Sequence, residues 1–288
     1  MMGDTLRAAA FLDKGGVGKT TTVAHLGVAL QEQGLEVLLI DLAGKQGDLS
    51  KHLGIWSGYQ DEIEDDDAWP NISTVFDDSW STITKKLGEA ATTGLVIETG
   101  EGPDLIPAHP GLDTLDAELG NIDDAQERYN RLRNFLDEHV DPLGYDAVLI
   151  DLPGLSNNVT YNGLWAARNV IVPVEPGSFE DEQADALQID LKRIGENFNI
   201  GIDLALVLPN KIDTRRTLDR EYLETFETKF PDAIAPEHVP YSQDIRNATE
   251  SGQTAFSLED PSTTADQAQA SYLSASAALL DRLSDKNE

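Results

Sequence analysis

Short apolar runs alternate with longer amphipathic stretches along most of the 288 residues. Leu6 to Leu12, Glu36 to Asp41, Leu105 to Pro107, Ala147 to Asp151, Asn169 to Pro173 and Leu204 to Leu208 have strand length and no regular polar face. Between them, residues 20–33, 113–119, 123–140, 163–167, 179–197, 219–230 and 265–283 read as helices, the first closed by Gly34. Continuous apolar strands separated by helices predict an α/β fold: a doubly wound, mostly parallel sheet covered on both faces. Sheets of this kind bind ligands at the carboxyl ends of their strands. No Pro-, Gly- or Ser-rich linker and no internal repeat divides the pattern, which predicts one domain over residues 1–288. Trp56 to Trp80 breaks the alternation. It contains the acidic string from Asp61 to Asp67 and is expected as a mobile surface insertion over residues 57–80, a solvated loop rather than a metal site.

Composition narrows the chemistry. The chain has no Cys, which excludes a disulfide framework, a thiolate nucleophile and a Cys-based metal site. Met1 to Arg7 lacks the regions of a signal peptide, and no apolar run approaches the roughly 20 residues of a membrane span, so a soluble, cytoplasmic protein is expected. Asp plus Glu number 52 against 21 Lys plus Arg, for a formal net charge of −31. That imbalance fits a basic partner, disorder or adaptation to high salt. The acids are spread along the chain and 40% of residues are apolar, which disfavours disorder. The composition resembles that of extreme halophiles, whose carboxylate repulsion is screened because the Debye length falls to about 3 Å at 1 M salt. On this reading the charge reports habitat rather than reaction.

The chemistry concentrates in Asp13-Lys14-Gly15-Gly16-Val17-Gly18-Lys19-Thr20-Thr21, set between the first strand and the first helix. Glycines let backbone N–H groups turn inward around an anion, and the following helix adds the positive end of its dipole. Lys19 can reach the β- and γ-phosphates of a nucleotide, and the Thr20 hydroxyl can ligate Mg²⁺. The common phosphate-binding loop has Gly where this chain has Asp13, and Lys14 is an additional lysine. Two acids end apolar strands: Asp41, and Asp151 in the order of a Walker B segment. Asp151-Leu152-Pro153-Gly154 and Asn210-Lys211-Ile212-Asp213 also fit the D-x-x-G and N-K-x-D patterns of GTPases.

The loop resembles the deviant Walker A motif of the ParA/MinD family of ATPases, and the likeness extends over nearly the whole chain, weakening between Trp56 and Glu101. It implies ATP and Mg²⁺ as cofactors, with the nucleotide held by Lys14, Gly15, Gly16, Val17, Gly18, Lys19, Thr20 and Thr21. Lys14 would reach the partner's nucleotide in an ATP-dependent homodimer. Thr20 and Asp151 would hold the metal, Asp41 would position the attacking water, and Asn210 and Pro240 would lie by the base. The chain departs from the family where Ala43, Gly44 and Lys45 stand in the segment after Asp41, where Gly154 replaces a proline, and where Tyr241 replaces an arginine. The resemblance is strongest to short ParA/Soj-type partition ATPases, which act with a ParB-like activator. Non-specific DNA binding would fall to Arg215, Arg216 and Arg246, with Arg220 nearby, and would make the protein nucleoid-associated. The segment from Ala277 to Glu288 lacks the basic amphipathic helix of MinD, so no direct membrane binding is expected. A GTP-dependent switch for targeting or metal-centre assembly, and a MinD-like ATPase that positions a protein cargo, stay open as alternatives.

Overall fold

The computed structural model describes residues 5–43, 47–64, 69–176, 189–196 and 200–284. Six strands form one sheet: β1 (Leu6–Ala10), β2 (Val37–Asp41), β3 (Asp104–Ile106), β4 (Ala147–Asp151), β5 (Asn169–Val174) and β6 (Asp203–Pro209). Their order is β3-β2-β4-β1-β5-β6, and every neighbouring pair is parallel. The register sets Asp151 beside both Asp41 and Ala10, at one edge of the sheet.

The absence of a polar face on the strands has a direct cause, since alternate residues enter two cores. Leu38, Ile40, Val148, Ile150, Val170 and Val172 point to one, with Leu132, Phe135 and helix α3 (Asn158–Ala167). Ala8, Ala10, Leu39, Leu149, Ile171 and Leu206 point to the other, under α1 (Lys19–Glu32) and the long C-terminal helix, α6 (Thr263–Ser284). Small side chains at Ala8 and Ala10 suit a close helix. At Gly27 in α1 a methyl group would stand 2.8 Å from Leu39 Cδ2. In α6, Ala265, Ala268, Tyr272, Ala275, Leu279 and Leu283 recur at three- and four-residue spacing and are all buried. Burial of Leu26, Leu30 and Leu279 contributes about 1.5–3 kcal/mol each. Arg282 ends this helix by donating to Ala205 O at 3.0 Å and to Ala233 O and Ile234 O at 2.8 Å, tying it to the sheet edge.

Several elements differ from the sequence pattern. β1 stops at Ala10, so Phe11 and Leu12 already belong to the turn into the loop. Residues 123–140 are not one helix: Ala125–Tyr129 and Arg131–Phe135 are helical, and Leu136–Val140 is a π turn. Beside that turn Arg7 donates to Asp137 at 2.6 Å and to Asp141 at 2.7 Å. Of the helix expected over 179–197, residues 189–196 are helical and the remainder lies outside the described residues. Short helices that the pattern does not announce include α2 (Asp48–His52) and α5 (Gln243–Glu250). Helix α4 (Thr217–Lys229) begins two residues earlier than its apolar spacing suggests.

The surface insertion expected over 57–80 needs correction on both flanks. Trp56–Glu64 is helical with Tyr59 buried. Ile72–Phe76 is a 3-10 turn capped by Asn71, whose Oδ1 accepts from Ser73 N at 3.0 Å. Ile72, Val75, Phe76 and Trp80 enter the core, so apolar residues spaced between the acids anchor the segment. Of the acidic string, residues 65–67 lie outside the described residues, as does residue 68. No helix among the described residues is long and apolar enough to cross a membrane.

Candidate active site

The loop from Asp13 to Gly18 leaves β1 at the carboxyl edge of the sheet and delivers the chain into α1. Gly16 and Gly18 make this turn with φ of +80° and +89°, the left-handed region that glycine enters without steric cost. No side chain caps α1, so its first N–H groups remain available to an anion, with the helix dipole behind them. Above the loop opens a cavity of about 630 Å³. Its wall includes Gly15, Gly16, Gly18, Lys19, Thr20 and Thr21 on one side, and Leu152, Pro153 and Gly154 on another.

Lys19 is buried and folds back on its own loop, where its ammonium donates to Lys14 O at 2.7 Å and Leu12 O at 3.1 Å. Burial lowers its pKa, and the nearby Asp151 and Asp13 carboxylates oppose that shift. Gly154 lies directly against this group, since a methyl there would stand 3.1 Å from both Lys14 O and Lys19 Nζ. Asp13 faces the same segment, accepting from Ser156 Oγ at 2.9 Å.

Beneath the loop lie the two strand-end acids. Asp41 and Asp151 are fully buried neighbours in register. One oxygen of Asp41 accepts from Ala43 N at 2.8 Å, and the other has no partner. Neither oxygen of Asp151 makes a hydrogen bond of good geometry, although the Thr20 hydroxyl lies close by. Burial raises both pKa values. Each is raised further by acidic neighbours, Asp41 acting on Asp151 and Asp48 on both, while Thr20 and Lys19 favour the charged form of Asp151. Buried carboxylate oxygens without partners are costly unless something neutralises them. Three such oxygens, with the Thr20 hydroxyl beside Asp151, are a hard-oxygen donor set that fits Mg²⁺.

The other sequence-derived residues are placed as follows. Lys14 begins the loop, and its N–H donates to Leu12 O at 2.7 Å. Val17 is buried and gives its carbonyl to Asn210 Nδ2 at 3.3 Å. Asn210 is buried, and its Oδ1 accepts from Lys211 N at 2.9 Å. It braces the loop from below, and neither Asn210 nor Pro240 lines the cavity. Lys211 does line it. With φ at +57° the residue turns back so that Nζ donates to Gly16 O at 3.1 Å and pairs with Glu175. Asp213 turns away from the cavity and holds Arg215 through two oxygens, at 2.8 and 2.9 Å, with Arg216 3.6 Å away. Arg215 and Arg216 are thus brought together before α4, both strongly exposed, whereas Arg246 sits on α5, paired with Glu250 at 3.4 Å. The main chain joins the two regions where Tyr241 N donates to Ile212 O at 3.0 Å.

Sequence reasoning missed two features of the wall. Lys211 stood inside a recognised pattern, but nothing in residue type announces its left-handed backbone. His52, on α2, lines the cavity and meets Thr21 Oγ1 at 3.0 Å, and no motif pointed to it.

A glycine loop opening a helix at the carboxyl edge of a parallel sheet, with a buried lysine above two strand-end acids, defines a P-loop nucleoside triphosphatase. Residues 8–204 match the AAA domain family AAA_31. The chromosome partitioning protein ParA of Caulobacter vibrioides is 32% identical over 249 residues, covering 84% of this chain and 85% of that relative. Cobyrinic acid a,c-diamide synthase from Mycobacterium smegmatis, with bound ATP analog and magnesium, superposes with a TM-score of 0.67 at 29% identity, over 86% of this chain and 91% of that one. McdA from Cyanothece, in complex with ATP, gives a TM-score of 0.72 at 20% identity over 96% and 97%, a likeness of fold. The chain belongs to the ParA family of P-loop ATPases. It hydrolyses ATP.

Proposed function

We propose that the protein is an ATP-dependent dimerising switch of the ParA type that partitions or positions DNA, with hydrolysis resetting the dimer. The observation that carries this reading is the preformed phosphate cradle, with Lys14 at its start and Lys19 held on two carbonyls beside it. An incoming polyphosphate offers the Lys19 ammonium a better acceptor than Leu12 O and Lys14 O, and the uncapped start of α1 receives the same anion. Lys14 would then face the nucleotide of a second copy. Mg²⁺, when bound by Thr20 and Asp151, supplies charge neutralisation to the transferring phosphoryl group. Asp41, with one oxygen fixed by Ala43 N and the other unpartnered, orients the attacking water and accepts its hydrogen bond. Phosphoryl transfer relies mainly on positioning and charge, so few groups are required.

Asp213 supports adenine over guanine as the base. An N-K-x-D aspartate reads guanine through a free carboxylate, whereas here both oxygens are occupied by Arg215. For DNA, Arg215 and Arg216 offer exposed guanidinium groups beside α4, and a ParB-like activator is the fitting partner for resetting the dimer. Salt weakens phosphate contacts steeply, so DNA binding by so acidic a chain depends on the local charge of this patch. A high-salt habitat fits the net charge of −31.

The test is light scattering of the purified protein with ATP and Mg²⁺ in molar KCl. The wild type should shift from monomer to dimer. Lys14→Ala should bind ATP as a monomer yet fail to dimerise, and a Lys14→Ala dimer equal to wild type would remove this lysine from the interface. DNA gel shifts in the same buffer should show retardation only with ATP. Retardation unchanged by Arg215→Ala and Arg216→Ala would exclude the patch, and dimerisation without any retardation would favour a protein cargo.

A further inference from the structure

Thr21, the last residue of the glycine-loop motif, is held from two sides by histidines. Its carbonyl accepts from His25 Nδ1 at 2.8 Å, and His25 Nε2 accepts from Ala255 N at 3.1 Å. His25 is completely buried, stacked on Tyr272 with ring centroids 4.7 Å apart, and burial depresses its pKa to about 4. Both ring nitrogens are committed in the neutral form, so His25 is a fixed strut.

His52 is different, because it lines the nucleotide cavity. Its Nδ1 lies 2.8 Å from Asp48 O, and a carbonyl only accepts, so Nδ1 carries the hydrogen. In the neutral ring Nε2 is then the acceptor, and the hydroxyl of Thr21, 3.0 Å away, must donate to it. The one proton of that hydroxyl is spent on His52, leaving lone pairs toward the cavity. That polarity is wrong for an anion. If Nε2 takes up a proton, the bond reverses: Nε2–H donates to Thr21 Oγ1, and the intact Thr21 O–H is free to turn and donate toward the cavity. The same step places a positive charge in the wall.

We propose that His52 sets the hydrogen-bond polarity of Thr21 and that the site takes up a proton on His52 when it binds the phosphates of a nucleotide. The proposal rests on the reading of this cavity as the nucleotide site. His52 is a positioning residue, acting on phosphate through Thr21. In the free protein burial holds His52 below its ordinary value, so it is neutral at pH 7. The charged groups around it are Asp48 and Lys51 on its own helix, with opposite effects, and His25 from α1, which stays neutral. On α5, packed against α2, Asp244 is turned to Ser262 and Arg246 is paired with Glu250. From β2, Asp41 lies close enough to Asp48 and Lys51 to interact with both. The polyphosphate is the one strong anion that nucleotide binding adds. Linkage then requires nucleotide affinity to rise as pH falls, by up to about tenfold per pH unit between the free and bound pKa values of His52.

The experiment is calorimetry of ADP binding to the full chain in excess EDTA and high KCl, in two buffers of different ionisation enthalpy, with wild type, His52→Gln and Thr21→Val compared. EDTA keeps metal-linked protons out of the measurement, and the variants correct for the titration of ADP itself. Wild type should take up more protons at pH 7 than His52→Gln, by about 0.5 to 1 per ADP, and its affinity should fall more steeply as pH rises. Thr21→Val should bind more weakly at low pH. The His52 C2 proton, one of five histidine signals, should titrate at higher pH with ADP present. Equal proton uptake in wild type and His52→Gln, or a His52 titration that ADP leaves unmoved, would overturn the proposal; the NMR result decides on wild type alone if the variant does not fold. Failure of wild type to bind ADP at any pH would instead count against the nucleotide site.

Discussion

Gly18→Ala tests whether the loop is held by the geometry described above. Gly18 has φ +89°, and a side chain in the left-handed region costs roughly 1–2 kcal/mol. The added methyl would also stand 2.5 Å from Asn210 Nδ2. Asn210 is buried, so its amide can move only by giving up the bond to Val17 O, worth about 1 kcal/mol. Lost flexibility of the unfolded chain returns about 0.4–1 kcal/mol. The expected net destabilisation is about 2 kcal/mol. An unfolding entropy of about 2.1 cal/mol/K per residue makes that a fall in Tm of about 3–4 °C for a chain this long. Gly15→Ala is the control. It has no atom within 4 Å of the new methyl and no left-handed backbone, so Tm should hold or rise slightly. Calorimetric melts without nucleotide, repeated in an Asn210→Ala background, separate the two causes. Removal of the amide should reduce the cost of Gly18→Ala by about 1 kcal/mol, leaving the backbone part. Equal costs in both backgrounds, or equal effects of Gly15→Ala and Gly18→Ala, would refute the argument that Asn210 fixes the loop.

The buried acids predict a pH dependence. Their folded pKa values are raised, so the native state binds more protons than the unfolded chain, and Mg²⁺-free stability should fall as pH rises from the ordinary aspartate range into neutral pH. Chemical denaturation in EDTA measures this, and stability rising over that range would contradict it. Asp151→Asn should gain about 1–3 kcal/mol of metal-free stability at pH 8 while losing Mg²⁺-dependent ATP hydrolysis. Asp213→Ala should leave the preference for ATP over GTP unchanged in competition binding, because its carboxylate is held by Arg215; a changed preference would restore it as a base reader. Lys211→Met should weaken ATP binding about five- to tenfold through loss of the bond to Gly16 O and of a cation in the wall, with an effect on affinity larger than on turnover.

Much of this site was legible because its parts are local. The glycines, Lys19 and Thr20 are contiguous, and Asp41 and Asp151 end strands whose apolar character identifies them before any partner is known. The sheet was legible for the same reason, since burial on both faces leaves no polar alternation. What escaped depends on contacts far along the chain. Helix α2 has five residues and is fixed by His52 reaching Thr21, and α5 is polar over most of its surface. Asn210 and Asp213 matched a base-reading pattern, but one braces Val17 and the other grips Arg215. The Trp56–Trp80 segment was read from its charges, whereas its placement follows from four apolar side chains spaced between them.

Strand order has a consequence for how the chain is made. β1 is flanked by β4 and β5, so the first neighbour of Leu6, Ala147, is synthesised 141 residues later. At roughly 5–20 residues per second on the ribosome, that is an interval of about 7–28 s. Through this interval the phosphate loop exists as covalent chain but lacks Asp151 below it, and α1 lacks Tyr272 and the rest of α6 above it. A nascent chain of this protein therefore passes that interval with the apolar face of α1 uncovered and with neither of the strands that flank β1 in place.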